Sequence, residues 1–262
     1  MADPVAARTL PSCCAELYGL DLTRLLLGPS FHPGGGRLTR RLGREILLHR
    51  GSRVLDVASG GGASASLLAR HFGCRTVGLD FSQKSLRGAR TAAGPGSRPA
   101  WLRGEAGSLP VAAGAFDAVV CECALCTFPD LEAALGEMRR VLRPGGRVGI
   151  SDMVLHAPVP EDLRGPFGRV LCIAGARTRQ GYVEALRRAG FGGVRSADES
   201  RSLLELVDDV ERRIGLVREL AARGPPDLPP DLDDAGPVLA AAADFIRSGG
   251  LGYALFSARR PR

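Results

Sequence analysis

With 262 residues and 45% apolar side chains, the chain is long enough to bury one substantial core, which excludes wholesale disorder. No run approaches the ~18 consecutive apolar residues of a membrane span, and residues 1–10 carry Asp3 and Arg8 with no apolar stretch, so the expectation is a cytoplasmic protein without a secretory signal. The formal charge of +7 does not imply nucleic-acid binding: Lys84 is the only lysine, arginine pairs such as Arg139 and Arg140 fall on polar helix faces, and aromatics at 5% offer no stacking platform.

Residues 12–27 set Cys14, Leu17, Tyr18, Leu22, Leu25 and Leu26 at helical spacing behind Ser12 as an N-cap. A breaker-rich loop over 28–36 leads to a second helix over 38–48. Strands at 53–57, 76–79, 100–103, 116–121 and 147–151 then alternate with helices at 63–72, 83–92 and 131–142. Short apolar strands separated by amphipathic helices predict a doubly wound, mostly parallel α/β sheet with helices on both faces. A helical stretch over 161–189 follows, then a strand near 193–197 and a long helix over 202–223. The proline-rich joint 225–230, a helix over 233–248 and a strand over 251–258 complete a seven-stranded set. The organisation expected is an N-terminal helical lid (1–50), an α/β core (51–200), a helical cap (201–250) and the final strand with its tail (251–262).

The first strand runs through Asp56-Val57 into Ala58-Ser59-Gly60-Gly61-Gly62. Small residues at a strand-to-helix turn let the backbone approach a ligand, and the helix N-terminus offers unpaired N–H groups. Such a turn is common when it stands alone. Here Asp80 closes the second strand, ahead of Phe81, where a carboxylate can accept both hydroxyls of an adenosine ribose. Glu105 and Ala106 follow the third strand, where an acidic side chain can receive an adenine amino group. Phe116-Asp117-Ala118-Val119-Val120 and Leu142-Arg143-Pro144-Gly145-Gly146 come next.

In this order and spacing the series resembles the class I S-adenosylmethionine-dependent methyltransferases, with a Rossmann-like core, over residues 53–189. The resemblance implies S-adenosylmethionine as cofactor, held by Asp56, Ala58, Ser59, Gly60, Gly62, Asp80, Phe81, Glu105 and Ala106, with no tightly bound metal. Ala58 stands where the family has its first glycine, and Glu105 where Asp is commoner; both departures are small in volume. A dinucleotide oxidoreductase shares the glycine turn, but nothing else in the chain suits a hydride site.

Seven cysteines, an odd count, argue against a disulfide framework. Ligand sites in open α/β sheets lie beyond the carboxyl ends of the strands. Cys123 stands just past the fourth strand, and Cys172 follows the fifth, where the chain folds over the substrate. The segment ending in Cys123, Ser151-Asp152, Pro160-Glu161 and Cys172-Ile173-Ala174-Gly175-Ala176 are similar to the arsenite methyltransferases, as are Tyr182-Val183-Glu184-Ala185-Leu186 and Ala189-Gly190-Phe191. That likeness implies trivalent arsenic bound by Cys123 and by Cys172, the latter on a helix after the fifth strand, with a third cysteine from the N-terminal region. Cys13 and Cys14 are the candidates, of which at most one can face the site because adjacent helical residues diverge by about 100°; Cys14 is retained. A soft trivalent centre favours thiolates, and its lone pair can attack the sulfonium methyl in line. The partners implied are a metalloid or small-molecule substrate and a thiol reductant, with no nucleic acid and no membrane.

Other readings stand beside this one. Free cysteines often only pack; Cys74 and Cys121 fit that role, and Cys126 fits either packing or ligation. An organic acceptor methylated at O, N or C would draw on His156 as a base. A non-catalytic thiol-rich protein could sequester a soft ion, although the intact glycine turn with Asp56, Asp80 and Glu105 speaks against it.

Overall fold

The computed structural model describes residues 32–92, 99–165, 168, 171–223 and 231–262. Its seven-stranded sheet has the order β3-β2-β1-β4-β5-β7-β6. The strands are β1 (Arg53–Val57), β2 (Arg75–Asp80), β3 (Ala100–Arg103), β4 (Phe116–Glu122), β5 (Leu142–Leu155), β6 (Gly192–Asp198) and β7 (Leu251–Arg259). Strands β1 to β5 are parallel, and β7 runs antiparallel between β5 and β6. The doubly wound, mostly parallel sheet is therefore as the sequence predicts. Strand order reverses between β1 and β4, which opens a crevice at their carboxyl ends.

Alternation along the strands divides the core in two. Leu55, Val57, Val119 and Cys121 face one layer; Val54, Ala118 and Val120 face the other. Helix α1 (Gly35–Glu45) buries Leu38 and Leu42 in that second layer, beside α2 (Ala63–Phe72). Gly149 on β5 lets α1 approach, since an added Cβ would come within 2.9 Å of both Leu42 and Ile46. Helix α3 (Gln83–Ala92) covers β2 and β3. Helix α4 (Leu131–Val141) is capped by Asp130, whose side chain accepts the Ala133 N–H at 2.9 Å. It buries Leu131, Ala134, Leu135, Met138 and Val141, the spacing of one helical stripe.

Two expectations need correction. β5 extends to Leu155 rather than ending at Ser151, because antiparallel β7 pairs with it as far as Leu155↔Leu251. The stretch 161–189 is not one helix: a short turn (Glu161–Leu163) comes first, and residues 171–178 are non-helical ahead of α5 (Arg179–Arg188), which Thr178 caps. The cause is close backbone packing. A Cβ at Gly175, in that non-helical stretch, would stand 1.9 Å from the Cys126 carbonyl oxygen.

Between β6 and β7 come α6 (Ser200–Arg223) and α7 (Asp231–Arg247). Leu203, Ala242, Phe245 and Ile246 from these helices join the layer that contains Met153, Leu163, Cys172, Ile173 and Tyr253. Arg247 of α7 pairs with Glu211 at 2.6 Å and Asp208 at 2.9 Å on α6. The first expected helix (12–27) and the joint 225–230 lie outside the described residues.

Candidate active site

The turn after β1 bends sharply. Ala58, Gly60 and Gly62 take left-handed φ values of 59°, 51° and 77°. Gly62 admits no side chain, since an added Cβ would meet the Trp101 indole at 2.1 Å, whereas the same position at Gly60 has nothing within 4 Å. Asp80 accepts the Gly60 N–H on Oδ2 and the Ser82 N–H on Oδ1, both at 2.8 Å. Burial pushes the Asp80 carboxyl up, and these two donors partly offset it. Asp56 is 2% exposed; burial and then the nearby Glu122 hold its carboxyl well above the usual range. Asp56 accepts the Ala65 N–H, yet its Oδ2 has no partner, and neither has the buried Ser59 Oγ. Two orphaned polar atoms beside a turn with open space fit a polar ligand that completes their bonding. Phe81 is half-buried with its carbonyl accepting the Arg103 Nε–H at 3.1 Å, and Glu105, exposed, follows β3 with half-buried Ala106.

The thiols lie beside this turn. Glu122, the last residue of β4, accepts hydrogen bonds from Ser64 Oγ (2.6 Å) in the first turn of α2 and from Thr39 Oγ1 (2.9 Å) on α1. His32 Nε2 stands 3.6 Å from the same carboxylate. Cys123 follows directly, in left-handed backbone (φ 53°), its N–H donating to the Ser151 carbonyl at 2.7 Å. Cys172, also left-handed (φ 62°), donates its thiol to the Cys123 carbonyl at 3.8 Å, with the Cys123 and Cys126 thiols as neighbours. These contacts to Cys172, with burial, raise the Cys123 and Cys126 thiols well above their ordinary value, so both are protonated at rest.

Asp152 on β5 forms the floor. It is 0% exposed and accepts the Met153 N–H at 2.7 Å, the Cys126 N–H at 3.3 Å and the Cys126 thiol. Burial, followed by the neighbouring Cys172, pushes its carboxyl up to about 7. Tyr253 donates to Ser151 Oγ at 2.9 Å and also hydrogen-bonds the Cys123 side chain.

The geometry brings Cys123 and Cys172 together as the spacing suggested, but Cys172 sits in a turn and not on the expected helix. Cys13 and Cys14 lie outside the described residues. Cys121 is packed in the core, and Cys74, its thiol donating to the His49 carbonyl at 3.6 Å, is pushed up to about 11 by burial. His156 is exposed beside Gly252, where an added Cβ would come within 2.6 Å of its Nε2. Sequence reasoning passed over Glu122 and gave Asp152 no role. Cys126 carried a signal, its Cys-x-x-Cys spacing from Cys123; Glu122 carried none, because its partners are 83 and 58 residues away.

A doubly wound sheet with a glycine turn after β1 and a buried carboxylate after β2 defines an adenosine-cofactor protein of the α/β type. A family profile described as a methyltransferase domain matches residues 55–150. The chain is 37% identical over 164 residues to a demethylmenaquinone methyltransferase of Thermus thermophilus, 62% of this chain and 71% of that one. It is 34% identical over 171 residues to an arsenite methyltransferase of Halobacterium salinarum, 63% of this chain but only 44% of the relative's length. A phosphoethanolamine N-methyltransferase 2 of Haemonchus contortus, solved with S-adenosyl-L-methionine, shares the fold at TM-score 0.83 and 19% identity, covering 99% of this chain and 62% of that one. The chain belongs to the class I S-adenosylmethionine-dependent methyltransferases, and S-adenosylmethionine is its cofactor. No helix of the described residues is long and apolar enough to cross a membrane.

Proposed function

We propose that this protein methylates trivalent arsenic held as a thiolate complex by Cys123 and Cys172. The reading rests on one observation: the Cys172 thiol donates to the Cys123 carbonyl at 3.8 Å at the carboxyl end of β4, one residue from the Glu122 carboxylate that binds the first turn of α2. The cofactor supplies an electrophilic sulfonium methyl group. Asp80 is assigned to its ribose hydroxyls, Glu105 with Phe81 and Ala106 to its adenine, and the turn 58–62 with Asp56 to the remainder. The two cysteines fix the soft centre so that its lone pair faces the methyl group, and holding the atoms in line is the main catalytic task. No protein base is needed for that step. The helices over 201–250 close the crevice as a cap, and a small-molecule thiol acts as reductant.

Incubation with arsenite, a thiol reductant and S-adenosylmethionine, followed by separation of arsenic species, should yield methylated arsenic. Likeness to the demethylmenaquinone methyltransferase over 71% of its length favours a second reading, an organic acceptor with the cysteines as packing. Failure of the wild-type protein to methylate any arsenic species would transfer the assignment to that reading.

A further inference from the structure

Three thiols meet at the mouth of the crevice. The third belongs to Cys126, in the short turn Leu125–Thr127 that follows Cys123. Its thiol contacts that of Cys172 and the Asp152 carboxylate, and its N–H donates to the same carboxylate at 3.3 Å. Two backbone features hold it there. Thr127 closes the turn, its Oγ1 and N–H donating to the Ala124 carbonyl at 2.7 Å and 2.9 Å. Gly175, three residues after Cys172, packs on the Cys126 carbonyl so closely that a Cβ would stand 1.9 Å from the oxygen. The loop that bears Cys172 is thus locked against the turn that bears Cys126. Among the described residues no group of three His, Cys, Asp or Glu side chains already stands at metal-holding spacing. At rest the Cys172 thiol donates to the Cys123 carbonyl at 3.8 Å and neighbours the thiols of Cys123 and Cys126.

We infer, on the reading proposed above, that Cys126 is the third sulfur ligand of a trivalent metalloid hydroxide, making the ligand set Cys123, Cys126 and Cys172. An N-terminal cysteine is then not required for loading. Side-chain rotation between staggered rotamers brings the three sulfurs onto a shared centre. The step balances without an external acceptor. Three S–H bonds and three As–O bonds of As(OH)3 break; three As–S bonds form, and each thiol proton leaves with one hydroxide as water. The arsenic stays trivalent, with its lone pair on the side away from the sulfurs.

Two probes separate a three-thiol site from a two-thiol site. Arsenite has three exchangeable positions, whereas phenylarsine oxide has two and needs only two thiols. In the full chain, arsenite should slow alkylation of Cys126 as well as Cys123, both half-buried at rest, as read by peptide mass spectrometry. Cys126→Ser replaces a soft donor by a hard one and should weaken arsenite binding about 100-fold or more, and phenylarsine oxide binding less than about tenfold. Normal S-adenosylmethionine binding identifies the variant as folded. Unchanged arsenite affinity in Cys126→Ser, or protection of Cys14 in place of Cys126, overturns the inference while the two-thiol assignment of Cys123 and Cys172 stands. A wild-type protein that binds neither probe overturns both.

Discussion

The two sides of the crevice reach the same backbone conformation with different residues. On the cofactor side the left-handed positions are Gly60 and Gly62, with Ala58 as the one residue that carries a Cβ. On the thiol side they are Cys123 and Cys172. A left-handed residue with a Cβ costs about 1–2 kcal/mol. Glycine on the first side lets Trp101 pack on the turn at Gly62 and leaves open space at Gly60. Cysteine on the second keeps the strain and gains only a thiol. Strained residues persist where the surroundings hold them for a purpose, so one side is shaped for the approach of a ligand and the other for the side chains themselves.

The largest test of that contrast removes the thiols. Cys123→Ser or Cys172→Ser should lower arsenite methylation by about 100-fold or more, because misplacement of a reacting centre by about 1 Å has that effect. S-adenosylmethionine affinity should stay near that of the wild type. Cys74→Ser, distant from the crevice, should retain methylation. Full activity in the Cys123→Ser, Cys172→Ser double variant would reduce both cysteines to packing. On the opposite side, Asp80→Ala should weaken S-adenosylmethionine binding by about 1.5–3 kcal/mol, the range for a hydrogen bond to a charged group. Titration calorimetry on the folded variant would refute the assignment by showing an unchanged affinity.

The cofactor side was largely legible in the sequence and the thiol side only partly. Residues 53–92 form strand, turn and helix from local signals, so Asp80 and the glycine turn fall where the alternation puts them. Cys123 was placed by the end of β4. The environment of Cys172 was not legible, because Gly175 packs directly on the Cys126 carbonyl, a contact that no periodicity records. Asp152 fell one residue past the expected strand 147–151. It is buried because β7 extends β5 past it, and that pairing joins residues about a hundred positions apart.

Buried Asp152 gives the thiol side a pH dependence. In the unfolded chain its carboxyl titrates near the ordinary 3.8, and in the folded protein at about 7. Between these values the folded state holds a proton that the unfolded state has lost, so stability falls as pH rises through the window and levels above it. The slope from this one group is at most about 1.4 kcal/mol per pH unit. Asp152→Asn should flatten it, as urea unfolding at pH 5, 6, 7 and 8 can show. A slope identical to that of the wild type would mean that Asp152 titrates in its ordinary range.

Ala58 provides the smallest and cleanest test, because it is the cofactor side's exception. Its φ of 59° costs an alanine about 1–2 kcal/mol. Glycine would relieve that strain while losing about 0.5–1 kcal/mol of chain entropy on folding. The difference favours Ala58→Gly by about 0.5–1 kcal/mol, read as a higher urea midpoint at unchanged slope. The same substitution at Cys123 or Cys172 relieves similar backbone strain but deletes a thiol and its hydrogen bonds, so the stability gain there should be smaller or absent. If Ala58→Gly instead destabilised the fold, the methyl group would be filling space that the turn needs, and both sides of the crevice would then use left-handed residues for their side chains.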